Sequence, residues 1–304
     1  MNNKKFELKT FEFSKLKKDS FNIFLIVSIF GYFLMFTLGS IPLIKYIISY
    51  LKNLNLITNN ANDTLLTFSL KTILLYIFGF ALPYFIYTLV FKYKPKFLKL
   101  DTLKNNSKIL LNNIFISILL GFTLQPVGMG ISALSTLITG SNTATSAISQ
   151  LDISGSIFAA SIVLALCPAI FEELIYRGII FDTSNKYFNL KVSAILSGIM
   201  FGLMHMNFQQ FAYAAFLGTF FAFIYDKTKN ILDTMIIHFV INFSQFTLSF
   251  MLFKNMGHEL ESANAEAELP LSTMIISTLI LSSILIIPFY KMCISLYKKY
   301  KTLD

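Results

Sequence analysis

The sequence predicts an all-α, polytopic membrane protein of about eight transmembrane helices with both termini in the cytoplasm. Of its 304 residues, 55% are hydrophobic and only 13% are charged, whereas soluble domains are about 25% charged. The mean hydropathy is +0.65. This composition excludes an ordinary soluble domain.

The number of helices follows from eight apolar runs. A helix needs about 20 residues to cross a hydrocarbon core of about 30 Å, although the sixth run is short and the third is long and contains Pro126. Apolar and polar residues do not alternate in these runs, which argues against a strand barrel. We expect one membrane domain over residues 1–304, with spans near 21–44, 72–91, 109–138, 154–181, 190–208, 211–225, 231–253 and 271–292.

The distribution of lysines predicts the orientation. Twenty lysines lie before the first run, after the last run, or in the connections that an even number of spans places on the same side. Only four lie on the opposite side, and lysines favour the cytoplasmic face. The net charge of +9 is therefore explained by lysines that lie at the cytoplasmic face of the lipid bilayer. We expect no nucleic-acid partner.

Ionisable residues occur inside the apolar runs mainly between residues 154 and 250. This region is predicted to be the helical core that carries any chemistry, because intramembrane ionisable residues are functional candidates. Residues 1–150 and 255–304 are predicted to be flanking scaffold helices. The polar stretches at about 45–71 and 254–270 are predicted to be loops, and His258 in the second is expected to be solvated.

The segment from Phe171 to Gly178 places two carboxylates and a guanidinium inside an apolar run. Each such charge costs roughly 2.5–3.5 kcal/mol near the centre of a membrane helix. Glu173 and Arg177 are four residues apart and favour an ion pair, whereas Glu172 points about 100° away. The free carboxylate suits a general base, and the alternative is a buried ion-pair network that only joins helices.

Two later runs supply further polar side chains. His205 closes the fifth run, and a lone histidine there is more often a core residue than a catalyst, but Gly198 and Gly202 indicate that this helix packs closely against another. In the seventh run, His238 and Asn242 share one helical face and could donate to a developing oxyanion. The alternative for this pair is an interhelical hydrogen bond worth about 0.6 kcal/mol.

The depth of these residues tests whether they could meet. At about 1.5 Å per residue from the cytoplasmic end of each span, Glu172 lies roughly 13 Å deep, His238 about 10 Å and Asn242 about 16 Å. His205 lies about 22 Å deep, so helix tilt or an earlier start of the fifth span is needed to bring it to the others.

In these residues the chain resembles the intramembrane endopeptidase family of the CAAX prenyl proteases and the bacteriocin-processing or immunity proteins, the CPBP or Abi-type family. The resemblance covers about residues 154–250. It consists of E-E-x-x-x-R at Glu172, Glu173 and Arg177, F-x-x-x-H at Phe201 and His205, and H-x-x-x-N at His238 and Asn242.

The resemblance implies a glutamate-type intramembrane endopeptidase that hydrolyses a peptide bond of a membrane-associated peptide or protein. Glu172 would be the general base and His205 would hold the water, while His238 and Asn242 would stabilise the oxyanion. Glu173 and Arg177 would support the site. We expect such a protein to be integral to the plasma membrane of a prokaryote.

Three alternatives stay open. A rival mechanism makes Glu172, His205 and His238 ligands of a divalent metal such as zinc, and because spacing alone does not decide between the mechanisms, the sequence assigns no cofactor. The chain could instead be a non-enzymatic immunity or interaction protein that keeps these residues as a structural network. It could also be a proton-coupled transporter that uses the same three residues as a relay.

Overall fold

The computed structural model describes residues 2–57, 64–93, 107–139, 151–153 and 155–262. Within these ranges the chain forms helices joined by short connections, together with one isolated parallel β-bridge between Thr64 and Asp152. The predicted all-α architecture is therefore confirmed for the described part of the chain.

The rods of the fold contain both α-helical and π-helical turns. The α-helices are α1 (Asn2–Asn53), α2 (Leu65–Leu75), α3 (Leu82–Val90), α4 (Ser107–Thr139), α5 (Ile157–Glu173), α6 (Leu190–Leu203), α7 (Phe208–Thr228) and α8 (Ile231–Ser262). A π-helical segment, Tyr76–Ala81, joins α2 to α3 in one continuous rod, and a second, Leu174–Phe181, continues α5 into a last α-helical turn at Asp182–Ser184.

Six of these rods are long and apolar enough to cross a membrane, so the chain is an integral, multi-pass membrane protein. The spans are Ser20–Asn53, Leu65–Val90, Asn113–Thr136, Ile157–Ser184, Phe208–Thr228 and Ile231–Met251. Helix α6 is also apolar but has only 14 residues. The predicted eighth run, 271–292, lies outside the described residues, and the count of eight helices stays a prediction.

Several predicted boundaries are wrong. The prediction placed residues 45–71 and 254–270 in loops, but α1 continues through residues 45–53, α2 begins at Leu65 and α8 continues through residues 254–262, so His258 lies on a helix. These helical stretches lack proline and contain Lys and Leu, which favour helix. The fifth run ends earlier than predicted, at Leu203, because the Asn207 side chain accepts a hydrogen bond from the Gln210 amide at 2.8 Å and starts α7.

Helices α6 and α7 form an antiparallel pair whose backbones approach closely at two glycines. A Cβ atom on Gly198 would lie 2.5 Å from the carbonyl oxygen of Ala215, and one on Gly202 would lie 2.8 Å from that of Phe211. Real Cβ atoms do not come this near to backbone oxygens. The close packing predicted from the two glycines is confirmed, and it fixes the helix that ends just before His205.

A Gly198→Ala substitution should therefore lower the free energy of unfolding by about 1–3 kcal/mol, as overpacking does. Gly31 on α1 provides the control, because a Cβ there would meet nothing within 4 Å and alanine favours helix. The measurement is reversible unfolding of the purified variants in mixed micelles. Equal stability of the Gly198→Ala and Gly31→Ala proteins would contradict the proposed close contact.

The extension of α5 lies at the centre of the fold. Ile175, Tyr176 and Ile179 are all fully buried there. Tyr93, which follows α3 outside the membrane spans, donates a hydrogen bond to the carbonyl oxygen of Gly178. Burial, with a smaller contribution from Asp182, raises the pKa of the Tyr93 phenol above its usual value, so this hydroxyl keeps the proton that it donates.

Candidate active site

The predicted ion pair between Glu173 and Arg177 is present. Nη1 of Arg177 lies 2.9 Å from Oε1 of Glu173, and both side chains are fully buried. Nη2 of Arg177 donates to the carbonyl oxygen of Gly218 at 2.9 Å. The guanidinium also lies over the rings of Phe201 and Phe221, at 4.9 and 5.1 Å from their centroids. Arg177 therefore ties α5 to both α6 and α7.

His238 joins this network from α8. Its Nδ1 atom lies 3.0 Å from Oε1 of Glu173. Because a carboxylate only accepts hydrogen bonds, Nδ1 carries the proton and Glu173 fixes the orientation of the ring. The Nε2 atom then points to Oε2 of Glu172, at a distance of 3.8 Å. The imidazole is 5% exposed, so it faces the protein interior and not the lipid.

Glu172 is held from the opposite side by a residue that the sequence motifs missed. The Tyr76 hydroxyl donates to Oε1 of Glu172 at 2.5 Å, and both residues are buried. Tyr76 lies in a rod that was predicted to be plain scaffold, outside the region 154–250. The available signal was a phenol inside an otherwise apolar run, which needs a hydrogen-bond partner when buried.

His205 lies near the other site residues but does not contact the carboxylates. In the described part of the chain its Nδ1 atom is 3.0 Å from the carbonyl oxygen of Phe201, and no hydrogen bond or ion pair links it to Glu172. The Phe201 ring packs edge-on against both imidazoles, with centroids 5.3 Å from His205 and 5.7 Å from His238. If Nδ1 carries the proton of a neutral ring, Nε2 of His205 is left as an acceptor.

Asn242 follows His238 by one turn of α8 and is half-buried. Its side chain makes no hydrogen bond to another residue that the structure describes. The amide therefore keeps its donors available for a ligand on the His238 face of the helix, as the spacing predicted, and its role stays a prediction.

The buried cluster combines two carboxyl groups, of Glu172 and Glu173, with the guanidinium of Arg177 and the imidazole of His238. If both nitrogens of the imidazole carried protons, Nε2 would present an N–H group beside Oε2 of Glu172.

The described residues include no group of three His, Cys, Asp or Glu side chains that could hold a metal ion. Glu172 and His238 approach each other, but His205 is bonded to a backbone carbonyl and does not complete the set. The rival ligand set of Glu172, His205 and His238 is therefore not assembled among the described residues.

The family model that matches this chain covers the same region. A family model described as "Type II CAAX prenyl endopeptidase Rce1-like" matches residues 154–244. A Bacillus subtilis (strain 168) protein, "Putative membrane peptidase YdiL", is 31% identical over 81 residues, which are 27% of this chain and 33% of that relative. The chain thus matches about a third of the relative's length, and no solved structure matches it.

The family model and the site geometry concern the same helices. The matched residues run from the start of α5 into α8 and contain every motif of the cluster described above. Over residues 154–244, the chain is thus similar to the Type II CAAX prenyl endopeptidase family, the likeness that its motifs predicted.

Proposed function

We propose that the chain is a glutamate-type intramembrane endopeptidase that hydrolyses a peptide bond of a membrane-associated peptide or protein. One observation supports this function most. The carboxylate of Glu172 and the imidazole of His238, from two different helices, face each other across 3.8 Å inside the fold. In the proposed reaction this pair would supply a base and a proton donor to a water molecule and a peptide carbonyl.

The reaction would begin with Glu172. Its Oε2 atom takes a proton from a water molecule, and the oxygen of that water attacks the carbonyl carbon of the peptide bond. The negative charge that develops on the carbonyl oxygen is stabilised by N–H donors from His238 and Asn242. Glu172 then gives the proton to the departing amine as the C–N bond breaks, which restores the carboxylate.

His205 and Glu173 would support these steps in different ways. Nε2 of His205, left as an acceptor by the bond from Nδ1 to the backbone, can accept the second proton of the attacking water in a hydrogen bond. Glu173 holds the His238 ring through Nδ1, so that the opposite nitrogen stays directed at the reacting groups. Arg177 balances the charge of Glu173.

A non-enzymatic immunity or interaction protein is the second candidate. The bonds of Glu173 to Arg177 and His238 join α5 to α8, and Arg177 continues to α7. Such a network could serve only to hold helices together. This alternative assigns no function to the separate contact between Glu172 and His238, so the two candidates differ at Glu172.

The test is cleavage of a library of membrane peptides by the purified full chain. Wild-type protein should cut at least one peptide, and Glu172→Ala, His205→Ala and His238→Ala should cut it much more slowly. Equal turnover by all four proteins would exclude the proposed mechanism. Loss of wild-type cleavage in a chelator, with recovery on adding zinc, would instead favour the metal mechanism.

A further inference from the structure

Tyr76, which donates a hydrogen bond to Glu172, belongs to none of the family motifs. Tyr76 precedes the matched region 154–244 by more than a full span. Nevertheless its hydroxyl donates a hydrogen bond to Oε1 of Glu172, at 2.5 Å.

The Tyr76 ring has little freedom to move. It packs against Phe80 at a centroid distance of 4.7 Å and stacks on Phe171 at 6.2 Å with an interplanar angle of 20°. Only 7% of Tyr76 is exposed. Its backbone N–H is bonded to the carbonyl oxygens of Thr72 and Ile73. The hydroxyl is therefore presented to the carboxylate from a fixed position.

The local backbone supports the same conclusion. Tyr76 is the first residue of one π-helical segment, and Glu172 lies two residues before the other. π-Helical turns are rare in proteins, and those that occur are often found at functional sites. The Tyr76–Glu172 bond thus joins the two irregular segments of the described helices at the proposed base.

The two oxygens of Glu172 consequently have different surroundings. Oε1 accepts from Tyr76, whereas Oε2 faces His238. The other charged or titratable side chains that interact with Glu172 in the described part of the chain are Arg177 and Tyr176 on its own rod and Tyr213 on α7, and Glu173 is adjacent in sequence. None of them forms a hydrogen bond with either oxygen.

We propose that Tyr76 is a positioning residue for Glu172, which holds Oε1 so that Oε2 is the atom that takes the proton from water. This inference depends on the proposed peptidase function. A carboxylate that rotates freely would spend much of its time with neither oxygen aligned, and a misplacement of about 1 Å can cost about 10²-fold in rate.

The test variant is Tyr76→Phe, which keeps the ring packing and removes only the hydroxyl. We expect kcat to fall by about 10–100-fold with KM unchanged, because Tyr76 does not contact the substrate. Tyr84→Phe is the matched control. It removes another hydroxyl from the same rod, and the Tyr84 hydroxyl, although buried, has no hydrogen-bond partner among the described residues.

A second readout needs no turnover. The infrared carboxylate stretch of Glu172 can be assigned from its loss in Glu172→Gln, and removal of a hydrogen-bond donor should move this band in Tyr76→Phe but not in Tyr84→Phe. An unmoved band in folded Tyr76→Phe would overturn the inference, as would unchanged kcat. Absence of cleavage by wild-type protein would refute the proposed function instead, and the infrared band would still decide whether Tyr76 holds Glu172.

Discussion

Replacing Glu172 by glutamine should lower kcat/KM for peptide hydrolysis by about 10²–10⁴-fold, the usual contribution of a general base. Glutamine has nearly the same shape, and its carbonyl oxygen can still accept the hydrogen bond from Tyr76. It cannot take a proton from water near neutral pH. The rate should be measured with a peptide that the wild-type protein cleaves, under conditions that give kcat and KM separately.

The fold of Glu172→Gln should stay intact, because Glu172 is not part of the ion pair with Arg177. Reversible unfolding of the variant should give nearly the wild-type free energy. A variant that retains full activity would remove Glu172 from the mechanism. If the variant loses activity only because it unfolds, the role of Glu172 is structural and not catalytic.

The adjacent substitution, Glu173→Gln, should act mainly on stability. Oε1 of Glu173 accepts from both Arg177 and His238, and all of these side chains are buried. Breaking a buried ion pair by removing one partner costs about 3–5 kcal/mol, since it leaves an unbalanced charge inside the protein. Unfolding in mixed micelles should show this loss, and activity should fall as well because His238 is no longer oriented.

The pair of Asp226 and Lys229, in which the lysine is exposed, provides the control. Nζ of Lys229 lies 2.6 Å from Oδ1 of Asp226, but the lysine side chain is 62% exposed. Such surface pairs contribute about 0–1 kcal/mol, so Asp226→Asn should change the unfolding free energy far less than Glu173→Gln. If the two variants lost similar amounts of unfolding free energy, the buried ion pair of Glu173 and Arg177 would contribute no more to stability than the pair of Asp226 and Lys229.

The sequence predicted those features of the fold that depend on residues near one another in the chain. Apolar runs of sufficient length indicated the spans, and the spacing of Glu173 and Arg177 indicated their ion pair, because four residues make about one helical turn. Helix ends were predicted less well. The apolar residues Met204, Met206 and Phe208 extend the predicted run past Leu203, whereas Asn207 caps the start of α7 and the preceding helix ends earlier.

The sequence predicts which residues form most of the site, but it does not predict which of them contact one another. Which way α8 rotates against α5 depends on packing across the whole bundle, so nothing in the sequence indicated that His238 would bond to Glu173 through Nδ1 and face Glu172 through Nε2. Tyr76 is separated from Glu172 by 96 positions. A partner so distant in the chain has no local pattern that could reveal it.

Helix α6 imposes a demand on the surrounding lipid. Its 14 residues are about 21 Å long at 1.5 Å per residue, whereas the hydrocarbon layer is about 30 Å thick. The turn after it exposes Met206 and Phe208. If α6 crosses this layer, acyl chains beside the turn would have to shorten or tilt to cover the rod, a case of hydrophobic mismatch. We therefore expect the protein to favour thin bilayers and to deform thicker ones locally, next to His205.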